Sequence, residues 1–179
     1  MTAEMNKSRA VFFDKDGTLI KDVPYNVRPD LIELNVGAAE AVQQLKKAGF
    51  KLFVVSNQSG VARGFFEEKD LAAIWEKLNE LCGAEFDGFY FCPHLPQGKI
   101  EKYSFACGCR KPEAGMIFQA ANEHRIDLAN SWIIGDSPKD AEAGRRASCR
   151  TILLFKQTND SDFTAESLTE AANIILNNL

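Results

Sequence analysis

Short apolar runs recur along the chain, and most of them stop abruptly at a polar residue. VFF (11–13) ends at Asp14, KLFVV (51–55) at Ser56, GFYF (88–91) at Cys92 and WIIG (132–135) at Asp136; TILLF (151–155) follows. The runs are continuously apolar rather than alternating, as expected of parallel strands covered on both faces. Between them, apolar positions fall at helical spacing. Ala38, Ala41, Val42, Leu45 and Ala48 make one stripe, with Gly49 placed to close the helix; Leu71, Ile74, Trp75, Leu78 and Leu81 make another. Pro112 is placed to open a third helix at its first position, running to about His124. A short fourth helix follows Pro138, and Ser167 with Glu170 forms a candidate capping box for the last.

Strand–helix alternation of this kind predicts an α/β fold, a doubly wound parallel sheet, in one domain spanning residues 1–179. No internal repeat appears, and only 156–163 (KQTNDSDF) reads as a loose surface loop. In open parallel sheets, ligands bind outside the carboxyl ends of the strands. Asp14, Ser56 and Asp136 each close a separate apolar run. Three places far apart in sequence are thus expected to meet at one rim.

Composition narrows the partners. Of 179 residues, 45% are hydrophobic and 26% charged, the net charge is −4, and no Lys/Arg run exceeds two. A nucleic-acid or membrane-surface binder needs a basic patch, so neither partner is expected. A small phosphorylated substrate needs only two or three well-placed cations. The N-terminal MTAEMNKSRA lacks the apolar stretch of a secretory signal, and no segment approaches 18 consecutive apolar residues. A cytoplasmic monomer is expected, with its five cysteines as thiols or thiolates rather than disulfides.

VFFDKDGTLI ends a strand with Asp14 and Asp16 around Lys15, then Gly17 and Thr18. Alone, this could be a strand-to-turn transition, since Asp and Gly are good turn residues. IIGDSPKD adds Asp136 and Asp140 at a second strand end. Carboxylates gathered at one rim repel unless a cation lies between them, and hard oxygen ligands favour Mg²⁺. The ordered set of DKDGT, a strand ending in Ser56-Asn57, Lys111 and GDSPKD resembles the four motifs of the haloacid dehalogenase superfamily phosphatases, over Val11 to about Arg150. That resemblance implies Asp14 as nucleophile, forming an aspartyl-phosphate, and Asp16 as the acid that protonates the leaving alkoxide and then the base for water. It implies Mg²⁺ held by the Asp14 carboxylate, the Asp16 carbonyl and Asp136, with Asp140 nearby. Ser56 and neighbouring backbone N–H groups would take the developing phosphoryl charge. Gly60 and Gly64 bracket a loop able to approach a ligand closely.

CPHLPQGKIEKYSFACGCRKP (92–112) raises a separate question. Cys92, His94, Cys107 and Cys109 have the C-x-H…C-x-C spacing of four tetrahedral zinc ligands. A Cys107–Cys109 disulfide would be badly strained. Buried thiols remain the alternative, though the segment is polar for a core. The pattern with the RKP that follows resembles the zinc loop of the heptose 1,7-bisphosphate phosphatases and their histidinol-phosphatase relatives. It implies a structural zinc across 92–109 that fixes both cations. Lys111 would neutralise the transferring phosphoryl group, and Arg110, a planar fork, would serve another phosphate or a hydroxyl. Cys82 and Cys149 read as core thiols, and His124 as a helix-ending residue.

The gap from Asp14 to Ser56 has room for a loop and one helix, and that from Ser56 to Lys111 for a helix, a strand and the cysteine loop. No separate cap domain is expected, and the site should be open. The 21–30 loop (KDVPYNVRPD) would form one wall, with Asp22 and Tyr25 as hydrogen-bonding groups and Arg28 as a second cation. By resemblance, Asn57, Gln58, Ser59 and Arg110 would contact a sugar. Lys15, where those enzymes commonly have Arg, reads as a solvent-side change. The expected activity is removal of the C7 phosphate from D-glycero-D-manno-heptose 1,7-bisphosphate. Histidinol phosphate is the rival substrate, and a catalytically silent zinc-stabilised module the rival class.

Overall fold

Six parallel strands form one sheet in the computed structural model, which describes residues 7–155 and 160–179. They are β1 (Ala10–Phe13), β2 (Lys51–Asn57), β3 (Gly88–Cys92), β4 (Trp132–Gly135), β5 (Arg150–Leu154) and β6 (Phe163–Ala165), in the order β3-β2-β1-β4-β5-β6. Val11 sits level with Leu52 on one side and Trp132 on the other, so β1 is a central strand.

Successive side chains of a strand point to opposite faces, and both faces are covered. Val11, Phe13, Leu52, Val54 and Ile134 pack against α1 (Ala38–Lys47), α3 (Leu71–Cys82) and α6 (Leu168–Asn177). Ala10, Phe12, Phe53, Val55 and Ile133 pack against α4 (Gly115–His124) and α5 (Pro138–Arg146). This double covering explains the unbroken apolar runs. Each fully buried large side chain contributes about 1.5–3 kcal/mol. The predicted stripes are the buried faces: Ala38, Ala41, Val42 and Leu45 in α1, and Leu71, Ile74 and Leu78 in α3. Cys82 and Cys149 are buried as expected, and His124 ends α4 with its ring 4.8 Å from that of Phe53.

Several expectations need correction. β3 is an edge strand, so its residues 88–91 are only half buried despite their apolar character. Pro112 opens no helix. The chain turns there, with Glu113 N–H donating to the Arg110 carbonyl at 2.8 Å, and α4 begins at Gly115. Gly60 and Gly64 bracket a helical turn, α2 (Gly60–Arg63), rather than a ligand loop. Gly60 is needed because a Cβ there would lie 2.1 Å from the Phe66 ring. Only half of the last capping box forms: Ser167 Oγ accepts from Glu170 N–H, while Glu170 itself accepts from Glu166 N–H. Within the 156–163 loop, residues 156–159 lie outside the described residues, and Phe163 opens β6, too short and polar for its pattern to show. No helix among the described residues is long and apolar enough to cross a membrane. No separate cap stands between β1 and β2.

Candidate active site

β1 and β4 are neighbours, yet β2 and β3 lie on one side of the pair and β5 and β6 on the other. A crevice forms at such a reversal, outside the carboxyl ends. Asp14 follows β1, and its N–H donates to the Ile134 carbonyl of β4 at 2.9 Å, which carries the strand pairing one residue further. Asp136 follows β4, and Asp140 returns from the first turn of α5. Two glycines make room for these acids. Gly17 has φ +82°, and a Cβ on it would lie 2.4 Å from Asp136 Oδ2; a Cβ on Gly135 would lie 2.3 Å from Asp140 Cγ. Carboxylate oxygens of Asp14, Asp136 and Asp140 lie within 4.8 Å of one another.

Lys111 reaches into this group from the far end of the cysteine loop. Its Nζ lies 2.6 Å from Asp14 Oδ1 and 2.7 Å from Asp140 Oδ1, and donates to the Val55 carbonyl at 2.8 Å. The buried ammonium thus has hydrogen bonds to Asp14 and the Val55 carbonyl and an ion pair with Asp140. Burial pushes the Asp14 carboxyl up to about 7; Lys111 opposes that, and Asp140 and Asp16 reinforce it. For Lys111, burial works against the charge, but Asp14 and Asp140 prevail and hold its pKa above the ordinary value. One ammonium among three close carboxylates leaves a surplus of negative charge. With an all-oxygen donor set, the crevice suits a hard divalent cation.

β2 continues further than its apolar run suggests, and Ser56 and Asn57 are its last residues. Asn57 turns its amide to the backbone of Lys111, donating to the carbonyl at 3.0 Å and accepting from the N–H at 3.0 Å. Gln58 Nε2 donates to Ser56 Oγ at 2.8 Å and to Asp16 Oδ2 at 3.0 Å. Lys15 is not on the solvent side. It is 1% exposed, and its Nζ lies 2.6 Å from Asp16 Oδ1. The tight DKDG turn, in which Gly17 N–H donates to the Ile20 carbonyl, folds Lys15 inward.

A pocket of about 200 Å³ over these acids is lined by Asp14, Asp16, Ser56, Asn57, Arg110, Lys111, Ser137, Lys139 and Asp140. It shares Asp16 and Asn57 with a second hollow of about 270 Å³, where Lys15, Asp22, Pro24, Tyr25, Asn26, Gln58, Ser59 and Gly60 complete the wall. The 21–30 loop is therefore a wall, as expected. Arg28 is not part of it: it forks onto Asp30 within its own turn. A larger hollow of about 660 Å³ over Val61, Phe66 and Tyr103 shares no residue with the pocket over the acids. Lys139 was missed from sequence, where nothing but its place inside GDSPKD marks it.

A second cluster lies beyond Arg110. Donor atoms of Cys92, His94, Cys107 and Cys109 also lie within 4.8 Å of one another. Cys92 Sγ is 3.4 Å from Cys107 Sγ and 3.0 Å from Cys109 Sγ, and His94 Nδ1 is 3.3 Å from Cys109 Sγ. These distances far exceed a disulfide's S–S length of about 2.05 Å, and all five cysteines are free. They approach the edges of a tetrahedron around an ion with bonds of about 2.3 Å to sulfur. Within the loop a 3₁₀ turn spans Glu101–Tyr103, and Lys99 and Ile100 N–H both donate to the Ala62 carbonyl.

Comparison with known proteins agrees with this geometry. The HAD-hydrolase-like family profile matches residues 108–179. D-glycero-beta-D-manno-heptose-1,7-bisphosphate 7-phosphatase of Yersinia pestis is 39% identical over 173 residues, covering 95% of this chain and 90% of that protein. Among solved structures, a putative HAD-like phosphatase from Mesorhizobium loti superposes with TM-score 0.85 at 29% identity, covering 94% of this chain and 88% of that one. The D,D-heptose 1,7-bisphosphate phosphatase of B. bronchiseptica, complexed with magnesium and phosphate, superposes with TM-score 0.82 at 28% identity, covering 96% and 99%.

Proposed function

We propose a function from one premise: this chain belongs to the haloacid dehalogenase superfamily and is a phosphatase. It removes the C7 phosphate of a D-glycero-D-manno-heptose 1,7-bisphosphate, through a phosphoryl group carried briefly on Asp14. The observation that carries this reading is the pairing of Lys111 Nζ with Asp14 Oδ1 at 2.6 Å, in the crevice where Asp136 and Asp140 converge. A carboxylate and a cation that share one water-poor pocket can bind a phosphoryl group between them.

An Asp14 carboxylate oxygen attacks phosphorus, forming an acyl–phosphate bond as the bond to the sugar oxygen breaks. Asp16 gives its proton to that oxygen, so the product leaves as an alcohol. Asp16, now a carboxylate, takes a proton from water as its oxygen attacks the same phosphorus, and Asp14 is released with inorganic phosphate. Lys111 lies against the phosphoryl oxygens throughout. Ser56 Oγ accepts from Gln58, which leaves the hydroxyl proton free for a phosphoryl oxygen. The Asp14 and Asp136 carboxylates and the Asp16 carbonyl, with Asp140 alongside, would hold Mg²⁺, which would supply the charge neutralisation that lets an anionic nucleophile approach an anionic ester.

Cys92, His94, Cys107 and Cys109 would hold a structural zinc, for which three sulfurs and an imidazole nitrogen are suitable donors. The sugar lies along the second hollow against Asp22, Tyr25, Asn57, Gln58 and Ser59. Arg110 and Lys139 at the catalytic mouth suit a substrate with a second phosphate. The same two cations oppose the ammonium of histidinol phosphate. The chain works as a one-domain monomer on a small phosphorylated sugar. The test is a substrate panel with Mg²⁺: both heptose bisphosphate anomers, histidinol phosphate and p-nitrophenyl phosphate. One heptose anomer should give the highest kcat/KM by about a hundredfold. Preference for histidinol phosphate would overturn the substrate; no turnover of any phosphate ester would overturn the reaction.

A further inference from the structure

Lys15 is a deeply buried charged side chain beside the crevice, and the reaction as derived gives it no task. An ammonium removed from water is costly, and lysine is almost never fully buried unless paired. Its partner is the acid–base residue itself, with Nζ 2.6 Å from Asp16 Oδ1. The other oxygen, Oδ2, accepts from Gln58 Nε2 at 3.0 Å. Both donors are buried, at 1% for Lys15 and 5% for Gln58, whereas the Asp16 side chain is 30% exposed. The carboxylate is thus gripped from the protein side and presented to the pocket.

The grip has a fixed base. The Lys15 carbonyl accepts from Thr18 and Ile20 N–H at 3.3 and 3.1 Å. Asn35 Nδ2 holds the same turn by donating to the carbonyls of Gly17, Thr18 and Ile20. A carboxylate with one donor on each oxygen cannot rotate freely about its last torsion. Each oxygen still keeps a lone pair able to carry a proton.

We propose that Lys15 is a positioning residue: with Gln58 it sets the orientation of the Asp16 carboxylate towards the leaving oxygen. It forms no bond to substrate and transfers no proton. This rests on the role given to Asp16 above.

The test separates positioning from folding by leaving group. Phosphorylation of Asp14 is followed by rapid quench for the heptose bisphosphate, whose alkoxide needs a proton, and for p-nitrophenyl phosphate, whose phenolate leaves without one. In Lys15→Met the alkyl rate should fall about tenfold or more, while the aryl rate changes less than about threefold. Lys15→Arg, which restores a buried cation, should recover most of the loss. The ratio of the two rates does not depend on the fraction of enzyme folded; if the Met variant yields no folded protein, Lys15→Gln reads the same ratio. Equal loss with both esters, or none with either, would overturn the proposal. If the wild type forms no phosphoryl-Asp14, the parent reading fails instead, and the two failures are told apart.

Discussion

The oxygen cluster and the sulfur cluster are built in opposite ways. Asp14 lies far along the chain from Asp136 and Asp140, and the strand order brings the two segments together. Their places are set by the β1–β4 pairing and by glycines with no room for a Cβ. Cys92, His94, Cys107 and Cys109 come from one stretch, and only Cys92 belongs to a strand. The acids are therefore placed by the sheet, while three of the four cysteine-loop donors lie outside any strand. Lys111 and Arg110 divide along the same line. Asn57 clamps the Lys111 backbone with two hydrogen bonds, and Asp14 and Asp140 hold its ammonium. Among the described residues, the Arg110 guanidinium has one hydrogen bond, 3.3 Å from Nη1 to the His94 carbonyl inside the cysteine loop. The two neighbouring cations thus take their support from different parts of the molecule. The fold aims Lys111, and the loop aims Arg110.

That contrast can be broken at several points. Asp14→Asn should lower turnover by at least about a thousandfold, as loss of a nucleophile does, with the circular-dichroism spectrum unchanged. Asn57→Ala removes two hydrogen bonds worth about 1 kcal/mol each from the Lys111 backbone. It should lower kcat by about tenfold with little change in zinc content; unchanged kcat would show that the carboxylates alone place the ammonium. Cys107→Ser should reduce zinc content and raise KM for the bisphosphate about three- to tenfold through Arg110, with kcat within about threefold. A loss confined to kcat would mean that the loop aims Lys111 after all.

The smallest effect concerns the opposite rim. Asp87 accepts from Lys46 and Lys51 at 2.9 and 2.8 Å and from Leu52 N–H at 2.9 Å. Burial raises its pKa, but these three donors outweigh it and hold the carboxyl below its ordinary value. The native state thus binds this proton less readily than the unfolded chain. The stabilisation is present above the ordinary carboxylate range and fades as pH falls through the depressed value. Denaturant melts of Asp87→Asn should show a shallower loss of stability between about pH 5 and 3, with turnover at neutral pH unaffected.

What the sequence made legible follows local rules. Unbroken runs such as KLFVV and WIIG identify central strands because both faces are covered there. The acids after them could be placed at one rim because parallel strands share a carboxyl edge. The cysteine spacing likewise led to four donors that do converge. What failed was decided by distant contacts. GFYF looks like a central strand but lies at the edge, and nothing in its four residues reports that it lacks a second neighbour. Lys15 looks exposed by type, and only the turn closed by Gly17 and Asn35 shows where it goes. Asn57 and Gln58 line the groove, and their amides also hold Lys111, Ser56 and Asp16, a second task that the sequence does not show. Arg28 finds Asp30 before it finds the groove. Side chains that could serve either substrate or protein are the ones a linear reading cannot assign.

The most direct test of the central claim is to quench the enzyme during turnover of a heptose bisphosphate with Mg²⁺ and map the phosphorylated peptide by mass spectrometry. The account predicts phosphate on the peptide that carries Asp14, absent from Asp14→Asn and gone after the substrate is exhausted. Phosphate on another residue, or full turnover with Asp14 replaced, would contradict it.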